Sequence, residues 1–376
     1  MMYCDGSWVE VDLSRLHQNV QAIEASLAGA SLIAVIKSDA YGHGLEATAV
    51  SLGHSGVRRF AVAYAAEAVV VRAAVPKADL ILVLGIVSEA DVPALLRDRI
   101  TPVLVSAEQG QALSNAAAAA GGCLSVHLKL DTGMGRLGFI CPDHVPEAVA
   151  MTTLPGLDVQ GICTHFAMVE PERHPAAAQD QVDRFRRALP VIEAAAGRRL
   201  FRHMSSSRAA LMLPDCDQDA VRIGIALYGY GAAEPDNRFF TVPVLQWKSR
   251  IMQVKAVPAD FAVGYYQSYR TPAPTDVAVV SCGYTDGYQR LLGNAGHVLV
   301  GGRRCPVVGK VSMNWISVDL GPDSGVQAGD EVVLIGEQDG EQIWANELAV
   351  HCKTISYEIL TGISRQIERR YIGTPL

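Results

Sequence analysis

Short apolar runs rich in β-branched side chains recur eight times before residue 230, at 32–36, 59–63, 80–84, 102–105, 124–130, 158–163, 200–203 and 220–225. Between them lie stretches such as 65–74, 89–96, 108–119 and 180–196, where Ala, Leu, Glu and Arg fall at helical spacing. Continuous apolar runs are what strands covered on both faces require, and eight strand–helix alternations predict a parallel (β/α)8, TIM-like barrel, an α/β fold. The rival, a doubly wound open sheet, calls for a G-x-G-x-x-G turn after its first strand, and none is present there.

On either side the texture differs. Trp8 to Leu13 alternates apolar and polar residues, as a half-exposed strand does, and Ser14 caps a helix predicted to run to about Leu27. Beyond Gly231 the segment Pro235-Asp236-Asn237 breaks the chain. The remainder is rich in Val, Gly and Pro, with strands predicted at 245–257, 276–281, 297–300, 307–313, 316–320 and 331–335. Helices are predicted at 345–350 and ending near 357–360. The expected organisation is a barrel over residues 11–232 and a mostly β C-terminal domain over 233–376, which the N-terminal strand within 1–10 joins.

Nearly half of the 376 residues are hydrophobic and fewer than a fifth charged, which excludes disorder. A formal charge of -7 argues against nonspecific nucleic-acid or anionic-membrane partners. No leader-like segment and no apolar run of the roughly 20 residues that span a bilayer is present, so a soluble, cytoplasmic chain is expected. The eight cysteines are scattered, without C-x-x-C pairs or metal-like spacing to histidine, and read as reduced thiols with no metal site.

Barrels of this kind carry their chemistry at the C-terminal ends of the strands. The first ends in Lys37. The fifth carries Lys129 and runs into the glycine-rich loop bearing Arg136. The sixth ends in His165, the seventh in His203 followed by Ser206 and Ser207, and the eighth passes through Arg222 into Gly224 and Ile225. Ser206, Ser207 and the N–H groups of Gly224 and Ile225 occupy the loops where such barrels hold a phosphate. A lone lysine there would read as a snorkelling surface residue. A lysine amine together with a phosphate cradle is what pyridoxal 5'-phosphate needs.

The stretches Ala34–Gly44, Leu128–Gly138, Arg222–Gly229, Val263–Tyr265, Gly283–Tyr288 and Ile355–Glu358 together resemble, in order and across nearly the whole chain, the signatures of the alanine racemase family. The resemblance implies a pyridoxal-phosphate enzyme that interconverts L- and D-alanine, a D-amino acid used in the cell wall. It assigns Lys37 as the residue that carries the cofactor and as one base, and Tyr265 as the other base, reached from a second copy in a homodimer with composite sites. It further implies that Arg136 orients the substrate carboxylate, that Met313 comes from the second copy to lie near that carboxylate, that Arg222 faces the pyridine nitrogen, and that Tyr41 and Tyr357 surround the phosphate. His165 would link Tyr265 to Arg222, Lys129 is a position carbamylated in many members, and His203 and Tyr284 are supporting residues. The chain departs from the commonest pattern at Ser206-Ser207, where Asn-Ser is usual, and at Met313-Asn314, where Met-Asp is usual. The amide of Asn314 could reach a substrate hydroxyl. With Val263–Tyr269 it resembles the serine racemase module of glycopeptide-resistant bacteria, so serine racemisation is expected beside alanine, or as the main activity. The rivals are a non-catalytic cofactor-binding homeostasis protein, which lacks the β-domain and its tyrosine, and an amino-acid decarboxylase, for which the chain is short.

Overall fold

The computed structural model describes residues 6–169, 175–232 and 237–373; Cys4 and the Pro235-Asp236 break lie outside them. The described chain divides into two compact units, one of residues 16–40 and 45–242, the other of residues 6–15, 41–44 and 243–373.

In the first unit the strands Ser31–Val35, Arg59–Val62, Leu80–Val83, Thr101–Leu104, Leu124–Asp131, Leu157–Cys163, Phe201–Ser206 and Ala220–Ile223 pair in parallel in chain order. The last returns to the first, Ala220 beside Ser31 and Ile223 beside Ala34, so the sheet closes into the barrel that the alternation predicts. Helices Leu45–His54, Ala65–Ala74, Ala107–Ala119 and Pro175–Ala196 lie between strands. The last begins at Pro175, earlier than its Ala- and Arg-rich core indicates, because proline is tolerated where no helical N–H is needed. The helix predicted at 89–96 is a 3-10 turn, Glu89–Asp91, leading into Val92–Arg97. The eighth strand stops at Ile223 because Gly224, at φ -114° and ψ -91°, turns the chain into the 3-10 segment Ile225–Tyr228. The seventh continues to Ser206, three residues beyond its apolar run.

The fifth strand differs from its neighbours. Leu124, Val126, Leu128 and Leu130 occupy one face, and Ser125, His127, Lys129 and Asp131 the other, as period-two alternation requires.

In the second unit, Leu245–Val257, Thr275–Val280, Ile316–Asp319, Arg303–Val308, His297–Val300 and Glu331–Gln338 form an antiparallel sheet that closes when the first strand also pairs with the last. Trp8–Asp12 adds antiparallel to Leu245–Val257 and parallel to Glu368–Ile372. The strand predicted at 307–313 is instead Arg303–Val308. Gly309, at φ +76° and with its Cβ position 3.0 Å from the Val263 carbonyl oxygen, ends it, and the following residues form a loop. Helices Ala345–Cys352 and Ser356–Gly362 complete this unit.

Candidate active site

Lys37 leaves the first barrel strand at its C-terminal end and begins a turn wound against the preference of L-residues. Ser38, Asp39 and Ala40 have φ/ψ of 56/51, 57/45 and 52/47°, and Tyr41 follows at φ 56°. A left-handed conformation costs roughly 1–2 kcal/mol per residue, so other groups must hold it. Glu67 Oε1 accepts from the Ser38 N–H at 2.7 Å while Oε2 accepts from the Ala63 N–H at 2.9 Å. Asp39 Oδ1 accepts from the Leu45 N–H at 2.8 Å. Burial lowers the Lys37 pKa, the Arg136 cation lowers it further, and Glu67 opposes both. The net direction favours a neutral amine, the form that bonds to a carbonyl carbon or takes up a proton.

On the fifth strand, the Asp131 carboxylate accepts from the N–H groups of Gly133, Met134 and Gly135 through Oδ1 and of Arg136 through Oδ2, at 2.8–3.1 Å. Burial pushes its carboxyl up, yet the four N–H groups outweigh that and hold it below the ordinary value. Its lone pairs shape the loop that presents the exposed Arg136. Lys129 is 8% exposed, and burial, with Arg136 and Arg222, lowers its pKa against the pull of Cys163 and Asp131.

Arg222 is buried at the centre. Its Nη2 donates to the carbonyls of Thr164 at 2.7 Å and Met204 at 2.9 Å, and Nη1 to the His203 carbonyl at 2.8 Å. The same nitrogens lie 3.3 Å from His165 Nδ1 and 2.8 Å from His203 Nδ1. A guanidinium has donors only, so both Nδ1 atoms accept and both rings are neutral with their proton on Nε2. Burial and then Arg222 drive the His165 pKa down to about 3, with Arg136, Lys129 and Lys37 adding to the effect; His203 falls well below its ordinary value for the same two leading reasons. The amine of Lys37, Lys129 and two guanidinium groups thus gather around one uncharged imidazole, and this mouth is built for anions.

The loops after the seventh and eighth strands meet, with two of their groups paired to each other. Ser207 Oγ accepts from the N–H groups of Gly224 at 3.0 Å and Ala226 at 3.5 Å, bracing the loop after the seventh strand against the turn after the eighth. The Ser207 hydroxyl keeps its own proton to donate, beside half-buried Ser206 and the start of the Ile225–Tyr228 turn. A half-buried amine, a hydroxyl-lined turn and a donor-only guanidinium fit the aldehyde, phosphate and ring nitrogen of pyridoxal 5'-phosphate.

The remaining predicted residues lie in the second unit. The rings of Tyr41 and Tyr357 are 5.9 Å apart, tilted by 55°. Burial raises both phenols, so both are hydroxyl donors. Tyr265 is 65% exposed on a turn with Gly264, Tyr266 and Gln267 at φ 72, 61 and 49°. Arg270 Nη2 donates to Gln267 Oε1 at 2.9 Å and Asn294 Nδ2 to the Ser268 carbonyl at 3.2 Å, fixing that turn. Tyr284, Met313 and Asn314 sit on two loops pressed together at Gly283, where a Cβ would lie 2.2 Å from the Met313 carbonyl oxygen. Thr285 Oγ1 donates to that carbonyl at 2.8 Å and is 3.2 Å from Asn314 Nδ2. Reading the sequence missed Glu67, Thr285 and His127. Only His127 left a signal, its place two residues before Lys129 on the polar face of the fifth strand.

The alanine racemase N-terminal domain family matches residues 11–232 and the alanine racemase C-terminal domain family residues 244–371. An alanine racemase of Desulfosudis oleivorans is 40% identical over 97% of this chain and 96% of its own length. The crystal structure of alanine racemase from D-cycloserine-producing Streptomyces lavendulae matches with a TM-score of 0.91 at 32% identity, covering 98% of this chain and 97% of that one. The alanine racemase of Bartonella henselae with covalently bound pyridoxal phosphate matches with a TM-score of 0.86 at 27% identity, over 98% of this chain and 99% of that one. Among the described residues no helix is long and apolar enough to cross a membrane. The two matched domains, the near-complete coverage and a mouth that suits pyridoxal phosphate place the chain in the alanine racemase family of pyridoxal-phosphate-dependent racemases.

Proposed function

We propose that this chain interconverts L- and D-alanine with pyridoxal 5'-phosphate, using Lys37 and Tyr265 as its two proton carriers. The observation that carries the reading is the buried Arg222 set against the Nδ1 atoms of His165 and His203 at the strand ends that also present Lys37 and Lys129. Lys37 would hold the cofactor by its amine, Ser206, Ser207, Gly224 and Ile225 its phosphate with help from Tyr41 and Tyr357, and Arg222 its ring nitrogen. When bound, the cofactor acidifies the Cα–H of the amino acid it holds. Arg136 supplies a forked donor for the substrate carboxylate, steadied by Lys129 if that amine is carbamylated, and Met313, contributed by the second copy, would lie near that carboxylate. Lys37 Nζ, whose pKa burial and then Arg136 lower, moves a proton at one face of Cα. Tyr265 Oη, contributed by a second copy in a homodimer, moves one at the other. His165, with its proton on Nε2, has a donor to offer that phenol and ties it to Arg222.

Arg222 does not readily release a proton, so a cofactor ring nitrogen held against it would stay unprotonated and withdraw fewer electrons, which suits racemisation and disfavours decarboxylation or transamination. Asn314 replaces an acidic side chain with an amide and favours serine as a second substrate. The seven free thiols among the described residues accord with a reducing, cytoplasmic setting.

The test is to fix cofactor to the protein with borohydride, locate it by peptide mapping, and follow deuterium exchange at Cα of both alanine enantiomers. Attachment at Lys37 with exchange in both directions is expected; attachment without exchange would identify a cofactor carrier. Serine turnover should be measurable and should decline in Asn314→Asp; equal serine rates in the two proteins would remove the role given to the amide.

A further inference from the structure

We infer that His127 is a positioning residue, which fixes the direction of Arg222 through the tautomer of His203, and that residue 161 is glycine to let it do so. This rests on reading Arg222 as the partner of the cofactor's ring nitrogen.

His127 and His203 stand on the fifth and seventh barrel strands, with the sixth between them. Their rings meet across it: His127 Nδ1 lies 2.9 Å from His203 Nε2, with ring centroids 5.1 Å apart. The crossing point is Gly161, which pairs with His127 on one side and Phe201 on the other. A Cβ built there would lie 2.5–2.6 Å from three atoms of the His127 ring. The backbone of Gly161 is not in the left-handed region, so glycine answers here to space. The register shift between Val126 and His127, which passes over Gln160, brings Gly161 opposite the histidine.

The order of donors then follows from chemistry. Arg222 Nη1 can only donate, so His203 Nδ1 accepts and the His203 proton sits on Nε2. That N–H is aimed at His127 Nδ1, which therefore accepts and keeps its own proton on Nε2. Both rings are buried, at 2% and 0% exposure, so neither can turn to solvent for a substitute. Without the His127 acceptor, His203 has two poor choices: a buried Nε2–H without a partner, or a proton on Nδ1 facing the guanidinium head-on. Either choice loosens Nη1, and the same guanidinium serves His165 through Nη2. Burial and Arg222 also push the His127 pKa down to about 3, which keeps its Nδ1 an acceptor.

The experiment uses the full-length holoprotein with 15N-labelled histidine, His127→Leu, which removes the acceptor, and His127→Asn, whose amide oxygen can take the place of Nδ1. In the unmodified protein long-range proton–nitrogen spectra are expected to show His203 neutral with its proton on Nε2 alone. In His127→Leu that signature should be lost and kcat for alanine should fall about tenfold, the size of one lost hydrogen bond, with KM changed far less. His127→Asn should restore both. A proton on His203 Nδ1 in the unmodified protein, an unchanged His203 signature in His127→Leu, or equal impairment of the two variants would each overturn the inference. An unmodified protein that fails to racemise alanine would sink the functional reading while the tautomer measurement still decides the chain of donors.

Discussion

Glu67 places its two oxygens on backbone N–H groups, one of them in the left-handed turn after Lys37, and its charge opposes the lowering of the Lys37 pKa by burial and Arg136. The two roles separate in Glu67→Gln. The amide can turn only one acceptor oxygen toward those N–H groups, so the unfolding free energy should drop by about 1–3 kcal/mol in urea titrations. Losing the anion lets the amine pKa fall further. The neutral fraction then persists to lower pH, and the acid limb of kcat/KM in the direction Lys37 initiates should move down. A limb that moved up would contradict the assignment. Lys37, Lys129, His165 and Arg222 were legible in the sequence because charged or polar residues at the mouths of apolar strands stand out. Glu67 was not, since an acid in the first turn of Ala65–Ala74 looks like ordinary helix-start chemistry; its partners are neighbours only in space.

At the scale of elements, the eight barrel strands were legible because parallel strands buried on both faces need uninterrupted apolar runs. Their ends were less so. The seventh strand continues through polar residues that line the mouth, and the strand expected at 307–313 is cut by Gly309, whose constraint is the Val263 carbonyl across a loop. The irregular pairing of the fifth and sixth strands was invisible for the same reason. Its consequence is testable in Gly161→Ala. The new methyl must displace the His127 ring, and overpacking of that kind costs typically 1–3 kcal/mol. If the ring is the obstacle, His127→Asn should recover part of the loss in a double-mutant cycle. Additive effects would locate the cost elsewhere.

The whole molecule carries the histidines around Arg222, two buried and one half-buried, as a pH liability. His127 and His165 have folded-state pKa values near 3 and His203 lies well below its ordinary 6.5, in each case through burial first and Arg222 second. Between 6.5 and those values the unfolded chain binds protons that the folded chain refuses. Stability is therefore fully present above 6.5 and falls as pH drops below it, by about 1.4 kcal/mol per pH unit for each histidine. Urea midpoints between pH 7.5 and 5 should follow that sign, with a shallower fall in His127→Asn; a flat profile would mean that the rings take up protons in the folded state. The proposed homodimer makes a second demand on the molecule as a whole. If Lys37 and Tyr265 meet only across two copies, Lys37→Ala and Tyr265→Phe are each inactive for different reasons, yet a mixed dimer holds one site with both native residues. Random reassortment makes half the dimers mixed, each with one working site of two, so mixing equal amounts after dissociation should recover roughly a quarter of the native rate. Were both residues supplied by one chain, every site in the mixture would lack one of them, and the rate would stay at that of the separate variants.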